Sequence, residues 1–564
     1  MSKGVLTLLV IFIILIPVGV YFGVWDFYAL NIPKWDDHVL KAFIVEYSQA
    51  GSWQEKLKAV FKQHNEHRIA LDRIFTWLDY SIFGTLNYRH LMMIGNLLLI
   101  GVIPLWYILL KNNKKPLFAL VPIPFIWLTL AFWENMYWGM AAIQNFGVIT
   151  LALWTIYLAV NPKPIYLALA ILMGALTIST SAIGILILPI CAVLLFLSGD
   201  RKRSALLALA GAAGIFAYFW TYKQPDTNPD SKASLFQLVK GYMAFLGSFA
   251  ESIPVRDHFG ACVVMGIVLF LVAISIASTI LFRISRKKYS VKFERITDLF
   301  CLGAIMFILA TGLIVVYGRA GFGLEGLITS RFKIYSVLLL MVAYLYVVIP
   351  IRGSFLSPYI TAIIFLAVTF NVFSYHYHLV DAYNLRKYLT TSQFNWMYTN
   401  KDLEVSADTS FAARIVEKTP VFYTKWLPLI EIADRQGYAG NSRALMELYA
   451  STKFEKSKDK LIVKNAAFKS QRLQDSGIYI LLSSNKRFYV FPTSRSRNTK
   501  RKELFLKQYY FASGFSAEIP FSELEKGDYK VAIIRQQGDE TGILFQKDKI
   551  SVDAVSQNKV KVNW

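Results

Sequence analysis

The amino-acid sequence predicts a polytopic α-helical membrane protein with a C-terminal α+β tail that ends in a β-sandwich-like domain. Hydrophobic residues make up 55% of the 564 residues, and the mean hydropathy is +0.43. Runs of about 17 to 22 residues almost free of charge follow one another, and about 20 apolar residues are enough for a helix to cross a bilayer. A soluble core has no need of such runs in succession, so membrane-spanning helices are predicted.

Hydropathy windows predict about eleven spans. Their approximate positions are residues 5–24, 90–110, 116–132, 138–160, 165–180, 182–198, 205–222, 259–282, 297–316, 335–350 and 356–374. The first apolar run is about twice as long as the core of a signal peptide, and no small-x-small cleavage site follows it. We therefore expect this first helix to be retained.

Basic residues predict the orientation, because Lys and Arg in short loops are kept on the cytoplasmic side. They fall in alternate loops of the predicted topology: Lys3, Lys111, Lys114, Lys115, Lys163, Arg201, Lys202, Arg203, Arg283, Arg286, Lys287, Lys288 and Arg352. The N-terminus is thus predicted in the cytoplasm, and the first loop and the C-terminal tail outside it. The expected location is the inner (plasma) membrane of a bacterium.

Three parts are predicted along the chain. Residues 1–374 form the membrane domain, in which residues 25–89 are an extracytoplasmic loop with amphipathic helices. Residues 375–460 form a helical connector on the same side. Residues 461–564 contain short β-rich runs separated by turn residues, a pattern typical of a small β-sandwich.

Of the formal net charge of +23, about 10 comes from the region beyond residue 375, and much of the remainder serves as the orientation signal. A basic extracytoplasmic surface beside a bilayer favours anionic lipid or phosphate-bearing glycan over nucleic acid. One basic run contains Arg495, Arg497, Lys500, Arg501 and Lys502, for which a solvated loop is the simpler interpretation. The sequence has no Walker loop and no dinucleotide-binding glycine pattern, so any donor substrate is expected from the outer face or from within the bilayer.

Ionisable residues gather at the predicted outer membrane boundary, where such groups are costly and usually functional. They are Asp36 and Asp37 after the first span, His64, Glu66, His67 and Arg68 in the first loop, Glu134 between the third and fourth spans, and Arg319, Glu325 and Arg331 after the ninth. The polar residues Asn135, Gln144 and Asn145 lie nearby in sequence. We expect all of these side chains to converge on one cavity.

This set of residue types fits glycosyl transfer. An acceptor hydroxyl needs a carboxylate to take its proton, and a leaving lipid phosphate needs a cation, for which the planar fork of Arg is well suited. Asp36 or Asp37 is the predicted base, assisted by Glu66. The phosphate is expected to bind Arg68, Arg319 and Arg331, and the remaining substrate contacts are assigned to His64, His67, Glu134 and Glu325.

Simpler interpretations stay open. Asp36 and Asp37 can cap the helix that follows them, Glu66 and Arg68 can be a helix-surface pair, and the two later arginines can anchor helix ends at the interface. His64 and His67 with Glu66 could hold a divalent metal ion, although two histidines and an acid are common by chance. No metal ligand is assigned.

The chain resembles the GT-C superfamily of membrane glycosyltransferases in its long acidic first loop, its number of spans and its C-terminal outer domain. The resemblance lies in architecture, since the His64-Asn-Glu-His-Arg68 run maps onto no subfamily motif. It implies a polyprenyl-phosphate or polyprenyl-diphosphate sugar as donor and a first-loop acid, here Asp36 or Asp37 and then Glu66, as base or metal ligand.

Together these arguments predict an inverting glycosyltransferase that acts on a lipid or glycan acceptor at the extracytoplasmic face and uses no nucleic acid. Three alternatives remain: a transporter or flippase of lipid-linked glycans, a glycan polymerase, and a non-catalytic envelope assembly protein.

Overall fold

The computed structural model of the chain describes residues 2–225, 233–286, 292–399, 426–440, 442–473, 476–485, 487–537 and 540–553. The chain divides into two compact units, and each is described here by itself. The first comprises Met1–Ala29 and Val39–His378, and the second comprises Leu30–His38 and Leu379–Trp564. The basic residues Lys287 and Lys288 and residues 400–425 of the predicted connector lie outside the described residues.

Within the described residues, eight helical segments are long and apolar enough to cross a membrane. They are Gly4–Tyr28, Tyr88–Asn112, Leu117–Met136, Gly139–Val160, His258–Ser285, Glu294–Phe322, Ser330–Val348 and Gly353–Ser392. Each coincides with a predicted span. Membrane-spanning character is therefore supported, whereas the predicted count of about eleven is not confirmed.

The other three predicted spans form shorter or more polar helices. Pro164–Thr180 has 17 residues, which extend about 25 Å at 1.5 Å per residue, less than the roughly 30 Å of a hydrocarbon core. The apolar helix Ala182–Leu197 is also short. Arg201–Phe219 begins with three basic residues in succession. Hydropathy windows alone do not separate such helices from full spans.

The described residues of the first unit form a succession of helices and helical turns. The α-helices are Lys3–Tyr28, His38–Gln49, Trp53–Phe61, Ala70–Phe83, Tyr88–Ile100, Val102–Asn112, Pro122–Trp127, Trp133–Met136, Gly139–Ala141, Gly147–Val160, Pro164–Thr180, Ile187–Leu197, Arg201–Phe219, Leu235–Leu246, His258–Ser285, Lys292–Arg319 and Lys333–Val348. The long helix Leu356–Thr399 continues into the second unit.

The predicted first loop is helical. Its helix Trp53–Phe61 begins with a capping box: Glu55 N donates to Ser52 Oγ at 3.3 Å, and Ser52 N donates to Glu55 Oε2 at 3.3 Å. This reciprocal pair satisfies two backbone groups that a helix start leaves open. Gly84 ends the helix Ala70–Phe83 in the left-handed region, at φ 73°.

A π-helical turn, Ala142–Phe146, lies inside the span Gly139–Val160. It packs against Gly95, where a Cβ atom would lie only 2.3 Å from the carbonyl carbon of Ala142. Glycine at this position therefore permits the two backbones to approach closely. The turn brings Asn145 next to Asn135 at the end of the preceding span.

The described residues of the second unit form eight strands in two antiparallel sheets. The strands are β1 Tyr438–Ala439, β2 Lys453–Lys456, β3 Lys460–Asn465, β4 Ser476–Ser483, β5 Phe488–Pro492, β6 Phe515–Pro520, β7 Gly527–Gln537 and β8 Glu540–Val552. One sheet has the order β1-β8-β7-β4-β5 and the other β2-β3-β6. Buried residues from both sheets form one hydrophobic cluster, as expected of a sandwich. Two strands precede residue 461, so the β region starts earlier than predicted.

Alternate residues of the larger sheet face a second cluster. Leu481 and Ile534 pack there with Trp426 and Ile430 of the helix Trp426–Gln436, so the sheet is covered on both faces. The described residues of the unit also form two shorter helices, Ser442–Ala450 and Arg501–Lys507.

Candidate functional site

The segment from Arg319, the last residue of the helix Lys292–Arg319, to Lys333, the first residue of the helix Lys333–Val348, holds several of the predicted site residues. It carries three cations, and each of them pairs with an acid from a different part of the chain. The pairs are Arg319 with Glu66, Arg331 with Glu134, and Lys333 with Glu251. The segment thus joins the first loop, the turn after the third span and the turn that precedes His258–Ser285.

The first pair is the closest match to the predicted chemistry. Arg319 Nη2 donates to Glu66 Oε1 at 2.6 Å, and His67 Nε2 lies 3.7 Å from the same oxygen. His67 Nδ1 accepts the Ala182 N–H at 3.1 Å, so the proton of a neutral ring lies on Nε2, towards the carboxylate. The side chains of Arg319 and Glu66 are 30% and 24% exposed. A ligand can therefore reach both.

The Glu66 carboxyl is ionised at neutral pH. Burial raises its pKa, but His67 and Arg319 act in the opposite direction and prevail, so the pKa lies below its ordinary value of 4.5. The other donors of Arg319 make no hydrogen bond within the described part of the chain. Since a guanidinium has five N–H donors, most donors of Arg319 are open to a further acceptor.

The run around Glu66 is a tight turn and not a helix surface. His64 and His67 exchange backbone hydrogen bonds of 2.9 and 2.8 Å, and Asn65 adopts a φ of +46°. Tyr218 OH donates to the Glu66 carbonyl oxygen at 2.5 Å. The turn therefore holds Glu66 in a fixed position between the helices Trp53–Phe61 and Ala70–Phe83.

Arg68 stabilises this turn through hydrogen bonds. It is buried, and it donates to the carbonyl oxygens of Phe61 and Tyr218 at 3.0 and 2.9 Å and to Thr221 Oγ1 at 3.0 Å. With these donors engaged, Arg68 has less capacity for the predicted phosphate than Arg319. His64 is buried, and its Nε2 lies 3.3 Å from Asn65 Nδ2.

The second pair combines predicted residues as well. Arg331 Nε lies 3.5 Å from Glu134 Oε2, which also accepts from Ser330 Oγ at 3.0 Å. Asn135 Nδ2 donates to the Arg331 carbonyl oxygen at 3.2 Å, and Asn145 Nδ2 of the π turn donates to Asn135 Oδ1 at 2.8 Å. The structure thus links polar residues of the segments Leu117–Met136, Gly139–Val160 and Ser330–Val348 in one network.

The guanidinium of Arg331 also has N–H donors that are open to a further acceptor. Its guanidinium lies 5.4 Å from the Trp138 ring centroid, and its side chain makes no hydrogen bond within the described residues. The side chain is 28% exposed. It therefore resembles Arg319 in being both anchored by an acid and accessible.

The third pair is absent from the sequence-based prediction. Lys333 is buried and contacts Glu251, and His378 Nε2 lies 4.0 Å from Glu251 Oε2. The available signal was a lysine two residues after Arg331 at the start of an apolar run. Its partner lies 82 residues away, which the sequence pattern does not show.

The remaining predicted acids lie elsewhere. Asp37 is fully buried, and its Oδ2 accepts the Lys34 N–H at 3.0 Å. This bond caps the 3-10 turn Trp35–Asp37, of which Asp37 is the last residue, and not the following helix His38–Gln49 that the capping alternative concerned. Asp36 is half-buried beside it, and Glu325 is exposed. Asp36 and Asp37 belong to the second unit, so their predicted meeting with Glu66 stays a prediction.

The described residues contain no group of three or more His, Cys, Asp and Glu side chains that could hold a metal ion. Of the three side chains considered for a metal ion in the first loop, His64 and His67 direct ring nitrogens to Asn65 and Ala182. Comparisons with protein-family models, with curated proteins and with solved structures found no match to this chain.

Proposed function

We propose that the chain is a GT-C-like membrane glycosyltransferase. It moves a sugar from a polyprenyl-phosphate carrier to a lipid or glycan acceptor at the extracytoplasmic face. The observation that carries the proposal is the contact between Glu66 and Arg319. It unites an ionised acid of the first loop with an accessible arginine of the ninth-to-tenth turn, the two residue types that the reaction requires.

In the proposed reaction, the acceptor hydroxyl oxygen attacks the anomeric carbon of the donor sugar. Its proton passes to the Glu66 carboxylate as the new C–O bond forms. The bond between the anomeric carbon and the phosphate oxygen breaks, and its electron pair leaves with the phosphate. Arg319 and Arg331 stabilise the negative charge on that phosphate. A single displacement of this kind inverts the anomeric configuration.

Glu66 replaces Asp37 as the preferred base in this proposal. Asp37 is fully buried and accepts a backbone N–H, whereas Glu66 is partly exposed and lies beside two proton-bearing groups. The lowered pKa of Glu66 makes it a weak base but keeps it ionised, so that it can orient the hydroxyl before the proton moves. Asp36 is the next candidate.

The test is sugar transfer by purified full-length protein with a panel of defined polyprenyl-phosphate sugars. Glu66→Gln is expected to lower transfer by about 10²- to 10⁴-fold while donor binding is retained. Arg319→Lys keeps the positive charge but loses the planar guanidinium that can bind a phosphate through two N–H groups. This variant is expected to bind the polyprenyl-phosphate sugar more weakly. The control is Glu294→Gln, which removes an acid paired with Arg352 at 3.3 Å in the first turn of the helix that ends at Arg319. Wild-type transfer rates in Glu66→Gln would refute the proposed base.

Transport of a lipid-linked glycan is the second candidate. It is favoured by the π turn in the span Gly139–Val160 and by the buried Gln144 within it, since interrupted helices with polar groups are typical of transporter sites. Lipid flipping without sugar transfer, in proteoliposomes that contain the same donor panel, would support transport instead of the enzyme.

The proposed orientation places the N-terminus in the cytoplasm and the first loop outside. The three native cysteines are buried, so single introduced cysteines can be labelled selectively. Gln54→Cys is expected to react with a membrane-impermeant maleimide in intact cells, and Lys202→Cys only after lysis. The reverse pattern would place the proposed site on the cytoplasmic side.

A further inference from the structure

The short helix Arg501–Lys507 of the second unit presents an unusual exposed face. Phe505 and Leu506 are 76% and 81% exposed. Arg501 and Lys502 lie one helical turn before them, at i and i+4, and are exposed on the same face. Two adjacent apolar side chains with this exposure, directly beside two cations, differ from the scattered single apolar residues that any surface contains.

The opposite face of this helix is fixed to the unit. Glu503 Oε2 accepts from Asn498 Nδ2 at 2.9 Å and from Ser470 Oγ at 3.1 Å, and Arg472 Nε donates to the Lys507 carbonyl oxygen at 3.3 Å. Hydrogen bonds to Asn498, together with those to Ser470 and the charge of Lys500, lower the pKa of Glu503. The helix is therefore held in place with its apolar and basic face outward.

We propose that this face docks on the surface of an anionic lipid bilayer. Phe505 and Leu506 would enter the boundary between headgroups and acyl chains, and Arg501 and Lys502 would bind lipid phosphates while their stems lie along the apolar layer. The exposed cations Lys500 and Lys507 extend the basic rim. A soluble phosphate-bearing glycan would engage the cations but would leave the two apolar side chains in water.

This inference does not rest on glycosyl transfer. It also changes the interpretation of the basic run, because Arg495 is buried between the rings of Phe468 and Phe511 at 4.9 Å from each centroid and is not part of the surface. The lipid contact is therefore assigned to the helix and not to the whole run.

The experiment uses the full chain in nanodiscs, with an environment-sensitive fluorophore on Leu506→Cys and quenching by nitroxide-labelled lipid. The native cysteines are buried, and Lys458→Cys, in the exposed turn between β2 and β3, is the matched control. The expected result is strong quenching at position 506 in discs of anionic lipid and little quenching at position 458. Discs of zwitterionic lipid should reduce the signal at position 506.

Charge removal gives a second readout. Each basic residue near an anionic surface favours the docked state by about fivefold, so Arg501→Gln with Lys502→Gln should lower the docked-to-undocked ratio by about 25-fold. Both side chains are exposed, so thermal unfolding should not change. Equal quenching at positions 506 and 458, quenching indifferent to lipid charge, or a signal that follows protein concentration instead of lipid composition would each overturn the proposal.

Discussion

Glu66 and Arg319 lie 253 residues apart in the sequence and form a direct ion pair, with 2.6 Å between Oε1 and Nη2. The pair closes the first loop onto the end of the helix Lys292–Arg319. It also leaves both side chains partly exposed. The same contact that stabilises the loop therefore supplies the charges on which the proposed reaction depends.

The pair predicts a specific dependence of stability on pH. Because the pKa of Glu66 is lower in the folded state than its ordinary value of 4.5, the ionised carboxylate stabilises the fold. This contribution is fully present above about pH 4.5 and is lost as the pH falls through the folded-state pKa. Glu66→Gln should therefore lower Tm at pH 7 and have a smaller effect at pH 3. Equal effects at both pH values would contradict this assignment.

For the second pair, Arg331 with Glu134, we expect a loss of stability on substitution of one residue that substitution of the other reverses. Arg331→Ala removes the ion-pair partner of a buried carboxylate, Glu134. The loss should be about 2 kcal/mol, below the 3–5 kcal/mol of a fully buried pair, because the Arg331 side chain is 28% exposed. Adding Glu134→Gln should restore much of the stability, and a double-mutant cycle of thermal unfolding in detergent measures the coupling. Additive losses would show that the two side chains act independently.

Individual site residues were predictable because ionisable side chains are rare near apolar spans, and Glu66, Glu134, Arg319 and Arg331 all stand out on that ground. The pairing of these residues was not predictable, since a single sequence does not show which distant segments are in contact. The strongest example is Arg68, whose predicted phosphate role is opposed by backbone carbonyl partners. Every residue has such a carbonyl, so no residue type in the sequence marks them.

Local and periodic features were easier to predict from the sequence. The capping box at Ser52 depends on residues three apart, and the spans depend on runs of about 20 apolar residues. The short helices Pro164–Thr180 and Ala182–Leu197 show the limit, because a window of apolar residues does not reveal where turns shorten a helix. In the tail, β-rich runs separated by turn residues predicted strands after residue 461, but β1 has two residues and depends on pairing with β8.

The buried side chain of Lys387 is expected to contribute to the stability of the second unit. Lys387 Nζ donates to the carbonyl oxygens of Thr493 and Ile478 at 2.7 and 3.2 Å and lies 4.8 Å from the Tyr479 ring centroid. Lys387→Met should cost about 1–3 kcal/mol, because the Thr493 carbonyl loses its donor. Thermal unfolding and limited proteolysis of the full chain measure the loss.

The control for this lysine is Lys453→Met, since Lys453 is exposed on the edge strand β2. Its effect should stay within about 0.5 kcal/mol. If both variants unfold at the wild-type temperature, the contacts of Lys387 do not contribute to the stability of the unit.

The close approach at Gly95 leads to the last prediction. A Cβ atom there would lie 2.3 Å from the carbonyl carbon and 2.4 Å from the Cβ of Ala142, distances that no packing adjustment of a side chain can relieve. Gly95→Ala should therefore displace the π turn and destabilise the fold by about 1–3 kcal/mol or more. Because Asn145 of that turn binds Asn135, and Asn135 binds the Arg331 carbonyl oxygen, sugar transfer should fall as well.

Gly23→Ala is the matched control, since a Cβ atom at Gly23 would have no neighbour within 4 Å. In a helix interior this change should be neutral or stabilise by about 0.5–1 kcal/mol. Thermal unfolding of both variants in the same detergent separates packing from helix propensity. A stable Gly95→Ala variant that lacks transfer would show that the π turn acts on the Glu134–Arg331 network without supporting the fold. A stable and fully active variant would refute the close approach itself.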